Sequence, residues 1–239
     1  MSLKKIATVL SLIIIFVFLM GCGGPEERKQ KFFDKGKTLY ENKKYVKASL
    51  ELKNALQIDP KYAEANYMLG MVYFKQRNWK NAFAFLSKAV ELDPDILDAQ
   101  VTLGQLLLMA RDKKGSMQKI ELVLSKDAEH VEALLLKATF FLVAREDEKA
   151  ESILEKMLSD HPERTESYMM LARIRLNRKE NNGAIQLLKD LLLREENITA
   201  RLFLANILEK EEDYEGAEQE YETLAQNHPE IDAYKLLLA

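Results

Sequence analysis

Residues 63–96 read AEANYMLGMVYFKQRNWKNAFAFLSKAVELDPDI. Two apolar stretches with helical spacing flank a short polar break, and each predicts a helix of about 14 residues. Gly70 stands in the first stretch, Ala82 and Ala89 in the second, and Asp93-Pro94 closes the segment. Moved along the chain by 34 residues, the same features return. Small residues recur at Gly36, Gly70, Gly104, Ala138 and Ala172, then at Ala205, one residue early. Ala48, Ala82, Ser116, Ala150 and Ala184 form a second series, and its next member, Ala217, is again one residue early. Pro60, Pro94, Pro162 and Pro229 form a third. Series that shift together place one deletion between Ala184 and Ala205.

The spacing predicts six helix pairs: 29–62, 63–96, 97–130, 131–164, 165–197 and 198–231. The third is degenerate at Ser116, Val123 and Ala128, and the fifth lacks the proline. Asp232–Ala239 matches the start of a seventh copy, read either as a crude cap or as the first half-helix of a longer array. One pair cannot bury its apolar face, but a stack of pairs can. Close approach of two backbones requires small residues, so Gly70 is expected to face Ala82. Proline excludes helix from the residue before it, so Asp59-Pro60 and Asp93-Pro94 should stop the second helices. Trp79, with Tyr45 and Tyr214 at the equivalent place, reads as a recurring packing aromatic rather than a ligand platform.

The pattern Leu69-Gly70-x-x-Tyr73, Ala82-x-x-x-Leu86, Ala89, Pro94 resembles the tetratricopeptide repeat, and the resemblance extends over residues 29–231. It implies an all-α fold, a right-handed superhelical solenoid of antiparallel helix pairs that binds proteins and does not catalyse. In that family the first helices line a concave groove. Carried over, the groove positions include Phe33, Lys37, Tyr40, Tyr67, Met71, Phe74, Gln105, Met109, Thr139, Met169, Arg173 and Asn206. The family's carboxylate clamp uses Lys, Asn and Arg at such places. Tyr67 and Met71 depart from it, and an apolar, Met-bearing groove suits a helix or an extended peptide instead. The competing reading is that several of these side chains only pack between repeats.

The chain begins with a different pattern. Lys4 and Lys5 precede an uncharged run, Ile6–Met20, and then Gly21-Cys22-Gly23. That order reads as a secretory signal, and the run is short for a membrane span of about 20 residues. Leu19-Met20-Gly21-Cys22 resembles the bacterial lipobox, and the only cysteine of the chain stands at the modified position. The resemblance implies residues 1–21 as signal peptide, a lipid on Cys22 and a tether over 22–28. An uncleaved signal anchor is the alternative. Gly23, where an aspartate would favour inner-membrane retention, points by analogy to a periplasm-facing protein of the outer membrane.

Composition bounds the rest. Of 239 residues, 47% are hydrophobic and 31% charged, as in an ordinary folded protein. The net charge of −3 with mixed signs predicts no basic stripe and no nucleic-acid partner. One cysteine excludes an intrachain disulfide. His130, His161 and His228 stand at repeat ends without metal-ligand spacing and read as solvated turn residues. Glu26-Glu27, Glu195-Glu196 and Glu211-Glu212 read as solvated charge, because nothing apolar beside them would separate their pKa values. No phosphate loop or nucleophile elbow is present, so no cofactor and no catalytic residue are expected. The function so read is a lipid-anchored scaffold for protein partners in a cell-envelope assembly or export system, such as exopolysaccharide export of the exosortase type, pilus biogenesis or outer-membrane assembly. The rival is a docking arm of an enzyme whose catalytic domain lies beyond residue 239.

Overall fold

The computed structural model describes residues 24–231 and residue 233. The signal segment, Cys22 and, apart from residue 233, the seventh half-repeat lie outside the described residues. Within them the chain forms twelve α-helices and no strand. They are α1 (Pro25–Glu41), α2 (Tyr45–Ile58), α3 (Ala63–Lys75), α4 (Trp79–Leu92), α5 (Leu97–Met109), α6 (Lys113–Lys126), α7 (Val131–Ala144), α8 (Asp147–Asp160), α9 (Thr165–Asn177), α10 (Asn181–Arg194), α11 (Ile198–Lys210) and α12 (Tyr214–Asn227). None of these is long and apolar enough to cross a membrane. Two compact units divide the chain after Lys119, inside α6. In the first, α1 to α5 each pack on the next; in the second, α7 to α12 do so.

The helix starts at Pro25, so residues 25–28, expected in a tether, form its first turn. Proline is pre-set for that position, and Glu26 and Glu27 favour the positive end of the helix dipole. Lys29, only 8% exposed, fastens this turn. Its Nζ lies 2.7 Å from Glu26, 3.0 Å from Asp59 at the end of α2, and 4.6 Å from the Tyr62 ring.

The turns inside the pairs repeat one geometry. The first helix of each pair ends in a residue with positive φ: Lys43, Arg77, Arg111, Arg145, Lys179 and Glu212. Its N–H and the next one bond back to the helix, as Arg77 to Phe74 O and Asn78 to Tyr73 O do. This is a Schellman closure with no glycine at the left-handed position.

The turns between pairs repeat another. Asp59 and Asp93 are extended, with φ of −137° and −140°, as a residue before proline must be. Each carboxylate accepts the N–H two residues on, at 2.9 Å. Asp127 accepts the N–H of Glu129 at 3.1 Å although Ala128 stands where a proline would. The aspartate therefore makes this turn with or without proline. The deletion falls in the turn between α10 and α11, residues 195–197, one residue shorter than its counterparts.

Gly70 does not face Ala82. A Cβ on Gly70 would lie 2.7 Å from Leu86 Cγ and 3.1 Å from Leu86 N, one turn beyond Ala82; Gly36 meets Leu52 in the same way. The glycine thus admits a leucine and its backbone rather than a second small residue. Pairs α1–α2 and α3–α4, which carry glycine, lie closer than α7–α8, α9–α10 and α11–α12, which carry alanine. Leu52, Leu86, Leu154 and Leu188 are fully buried. Each contributes about 1.5–3 kcal/mol relative to exposure.

Candidate functional site

The expected groove residues fall into three groups. Phe33, Tyr40, Tyr67, Met71 and Phe74 are half-buried and pack together against the core of the first unit. Phe33 lies 4.9 Å from the Tyr62 ring, Tyr40 5.7 Å from Tyr45, and Phe74 5.4 Å edge-on to Trp79. The Thr102 hydroxyl, which donates to the Asp98 carbonyl at 2.8 Å, lies 3.5 Å from Met71 Sδ. Burial, then the nearby Asp98 carboxylate and Tyr40, push the Tyr67 hydroxyl above its usual pKa. These five are largely packing residues with one open side. Lys37, Gln105 and Met109 form the second group; all three are exposed, Met109 by 53%.

The third group lies in the second unit. Thr139 and Arg173 line an open pocket of about 430 Å³ between α7 and α9. Leu142, Val143, Met170 and Ile174 give it apolar walls, and Asp147 and Asn177 complete the rim. Val143 is 52% exposed, and Arg173 is exposed without an ion pair among the described residues. Met169 packs instead into the last core cluster, and Asn206 is exposed on α11. Val143 and Asn177 escaped the sequence reading, although they follow Met109 at the repeat interval.

Polar residues at the repeat ends fasten the turns. His130 Nδ1 accepts the Ala133 N–H at 3.4 Å and so caps α7. Glu196 and Glu220 hold Arg201, at 2.6 and 2.5 Å. The hydrogen bond from Arg201 holds the Glu196 carboxyl below its usual pKa. Glu195 accepts from the Thr165 hydroxyl and Glu211 from Asn181. Asn66 and Gln100, one repeat apart and each 3% exposed, donate to the carbonyls of Pro60 and Pro94. Among the described residues no three His, Cys, Asp or Glu side chains gather in a metal-binding arrangement.

Charge is distributed less evenly than the total suggests. Successive antiparallel helices return the chain to the same end, so the turns inside the first three pairs share one edge of the first unit. That edge carries Lys43, Lys44, Lys47, Lys75, Arg77, Lys80, Arg111, Lys113 and Lys114, all exposed and in no ion pair among the described residues. Glu41 and Asp112 are the acids there, and Asp112 is engaged with the Gly115 N–H. The expectation of no basic stripe is therefore wrong for this unit. A net charge sums over the chain, and folding sorts charges by position within the repeat.

Three tetratricopeptide-repeat family profiles match the chain, over residues 36–77, 63–96 and 148–197. No curated protein matches it. Solved structures do. The chain is similar to PilF of Pseudomonas aeruginosa, with a TM-score of 0.68 and 18% identity over 90% of this chain and 98% of the other. It is similar to PilW, described as a widely conserved type IV pilus biogenesis factor, with a TM-score of 0.73 and 18% identity over 88% and 98%. A tetratricopeptide protein of Thermus thermophilus matches with a TM-score of 0.64 and 20% identity over 75% and 98%. At such identities the likeness is one of fold.

Proposed function

Because this chain is a tetratricopeptide-repeat protein, we propose that it is a non-catalytic scaffold whose first helices bind a segment of a protein partner. The pocket between α7 and α9 carries this reading. It combines apolar walls with an exposed guanidinium, Arg173, in no ion pair among the described residues, and so suits an apolar side chain flanked by a carboxylate. The lipobox-like Leu19–Cys22 supports an anchor on Cys22 with the repeats facing the periplasm, and Gly23, in place of an aspartate, supports the outer membrane by analogy. The likeness in fold to PilF and to PilW, a pilus biogenesis factor, supports an envelope assembly system such as pilus biogenesis as the setting; exosortase-linked exopolysaccharide export is the alternative setting that the repeat sequence suggests.

Cross-linked pull-down from detergent-solubilised envelopes tests the pocket. Val143→Lys with Arg173→Glu should reduce partner recovery by about tenfold or more, the equivalent of roughly 1.4 kcal/mol. Equal recovery with a folded variant would refute the pocket as the binding site. Labelling with a fatty acid tests the anchor: Cys22→Ala should abolish both label and membrane retention, and retained protein would refute lipidation.

A further inference from the structure

We propose that the basic edge of the first unit docks onto the turn between α11 and α12 of a second copy of this chain. The basic edge presents nine exposed cations in no ion pair among the described residues, of which Lys43, Arg77 and Arg111 recur at one place in successive pairs. A regular row of like charges raises the potential over that edge and attracts a surface of opposite sign.

The chain itself carries such a surface. In the turn between α11 and α12 the left-handed position holds Glu212, where every earlier pair has Lys or Arg. Glu209, Glu211, Asp213 and Glu215 surround it, against the single cation Lys210. All are exposed, and Glu212 and Glu215 are in no ion pair among the described residues. The two surfaces also match in apolar content. Tyr214, 67% exposed, stands at the centre of the acidic turn, and Trp79, 39% exposed, at the centre of the basic edge. Both are the first residue of the second helix of their pair. Val46 and Met109, 77% and 53% exposed, flank Trp79 along the edge. Aromatic side chains inside a charged rim are the arrangement of a protein contact, in which the aromatics supply affinity and the charges select the partner. The inference is independent of the α7–α9 pocket and of the anchor.

Charge exchange tests it. The full chain, purified in detergent, is followed by sedimentation while salt is raised. The Debye length falls from about 30 Å at 0.01 M to about 3 Å at 1 M. Wild type should self-associate at the low salt and be monomeric at the high salt. One variant carries Lys43→Glu, Arg77→Glu and Arg111→Glu; native Glu212 shows that glutamate fits that backbone position. The other carries Glu212→Lys and Glu215→Lys, with Glu218→Lys at an exposed position of the next turn of α12. Each alone should be monomeric at low salt, since the attraction between its two surfaces is then largely cancelled. An equimolar mixture should associate again, because the native acidic turn of the first variant meets the native basic edge of the second. Circular dichroism reports whether the variants fold, and Arg77→Glu mixed with Glu212→Lys repeats the test with one change each. A wild type that stays monomeric at low salt, or a mixture that fails to associate, overturns the proposal. So does a basic edge that instead binds phosphatidylglycerol vesicles or single-stranded DNA while the copies ignore each other.

Discussion

At Gly70 and Ser116 single atoms decide how well two helices fit. A methyl on Gly70 meets Leu86 within 3.1 Å on both side chain and backbone, and the backbone cannot step aside. Overpacking of this kind costs about 1–3 kcal/mol, more than the roughly 1 kcal/mol that alanine regains in a helix. Gly70→Ala should therefore lower the midpoint of urea unfolding; an unchanged or higher midpoint would show that the pair can widen as the alanine-bearing pairs do. Ser116 is the reverse case. It is fully buried in a series otherwise filled by alanine, and its hydroxyl has no partner among the described residues. A buried group left unbonded costs about 1–3 kcal/mol, so Ser116→Ala should stabilise the chain by roughly that amount. A loss of stability would mean that a water or a shifted carbonyl satisfies the hydroxyl. The 34-residue series made Ser116 visible in the sequence, but its lost hydrogen bond depends on packing that no series records.

The elements are set by their ends. Each first helix closes on a left-handed residue that is not glycine, a conformation costing an L-residue about 1–2 kcal/mol. Lys179→Gly should remove part of that cost and raise the thermal midpoint, provided its side chain contributes nothing else; a lower midpoint would assign the lysine a role in holding the turn. Asn66→Ala should act the other way, because it leaves the Pro60 and Tyr62 carbonyls without their amide donor. The loss expected is about 1–3 kcal/mol, read by chemical denaturation.

Between α1 and the end of α2 the fastening depends on pH. Hydrogen bonds from Lys29 and from the Lys61 backbone hold the Asp59 carboxyl below its ordinary value of 3.8. Hydrogen bonds to Glu26 and Asp59 raise Lys29 to about 12. A depressed carboxyl contributes stability in full above its unfolded value and loses it as pH falls through the folded one. Amide exchange in α1 should therefore quicken as pH drops below 3.8 relative to the rest of the first unit, after correction for the intrinsic rate. Asp59→Asn should remove that dependence, and a variant that keeps it would place the titration elsewhere.

On the scale of the molecule, the repeat pattern laid out the helix pairs because a fixed period carries both the apolar faces and the turn residues. The shift shared by Ala205 and Ala217 located a deletion, and the structure places it in the turn at 195–197, where losing a residue disturbs neither helix. The groove was legible only in part. Tyr67 and Met71 were visible as first-helix positions, but their half-burial against the core was not. Exposure depends on the neighbouring helices, which a position within one repeat does not specify.

By itself the sequence determined the period, the helix pairs and the polar signals at their ends, because each follows from residues near one another along the chain. Only the tertiary structure decided that Gly70 meets Leu86 rather than Ala82, that Thr139 and Arg173 share a pocket while Met169 joins a core, and that nine cations line one edge of a chain whose total charge is slightly negative. Those facts join residues of different helices, and which atoms meet is set by how helices fill the space between them.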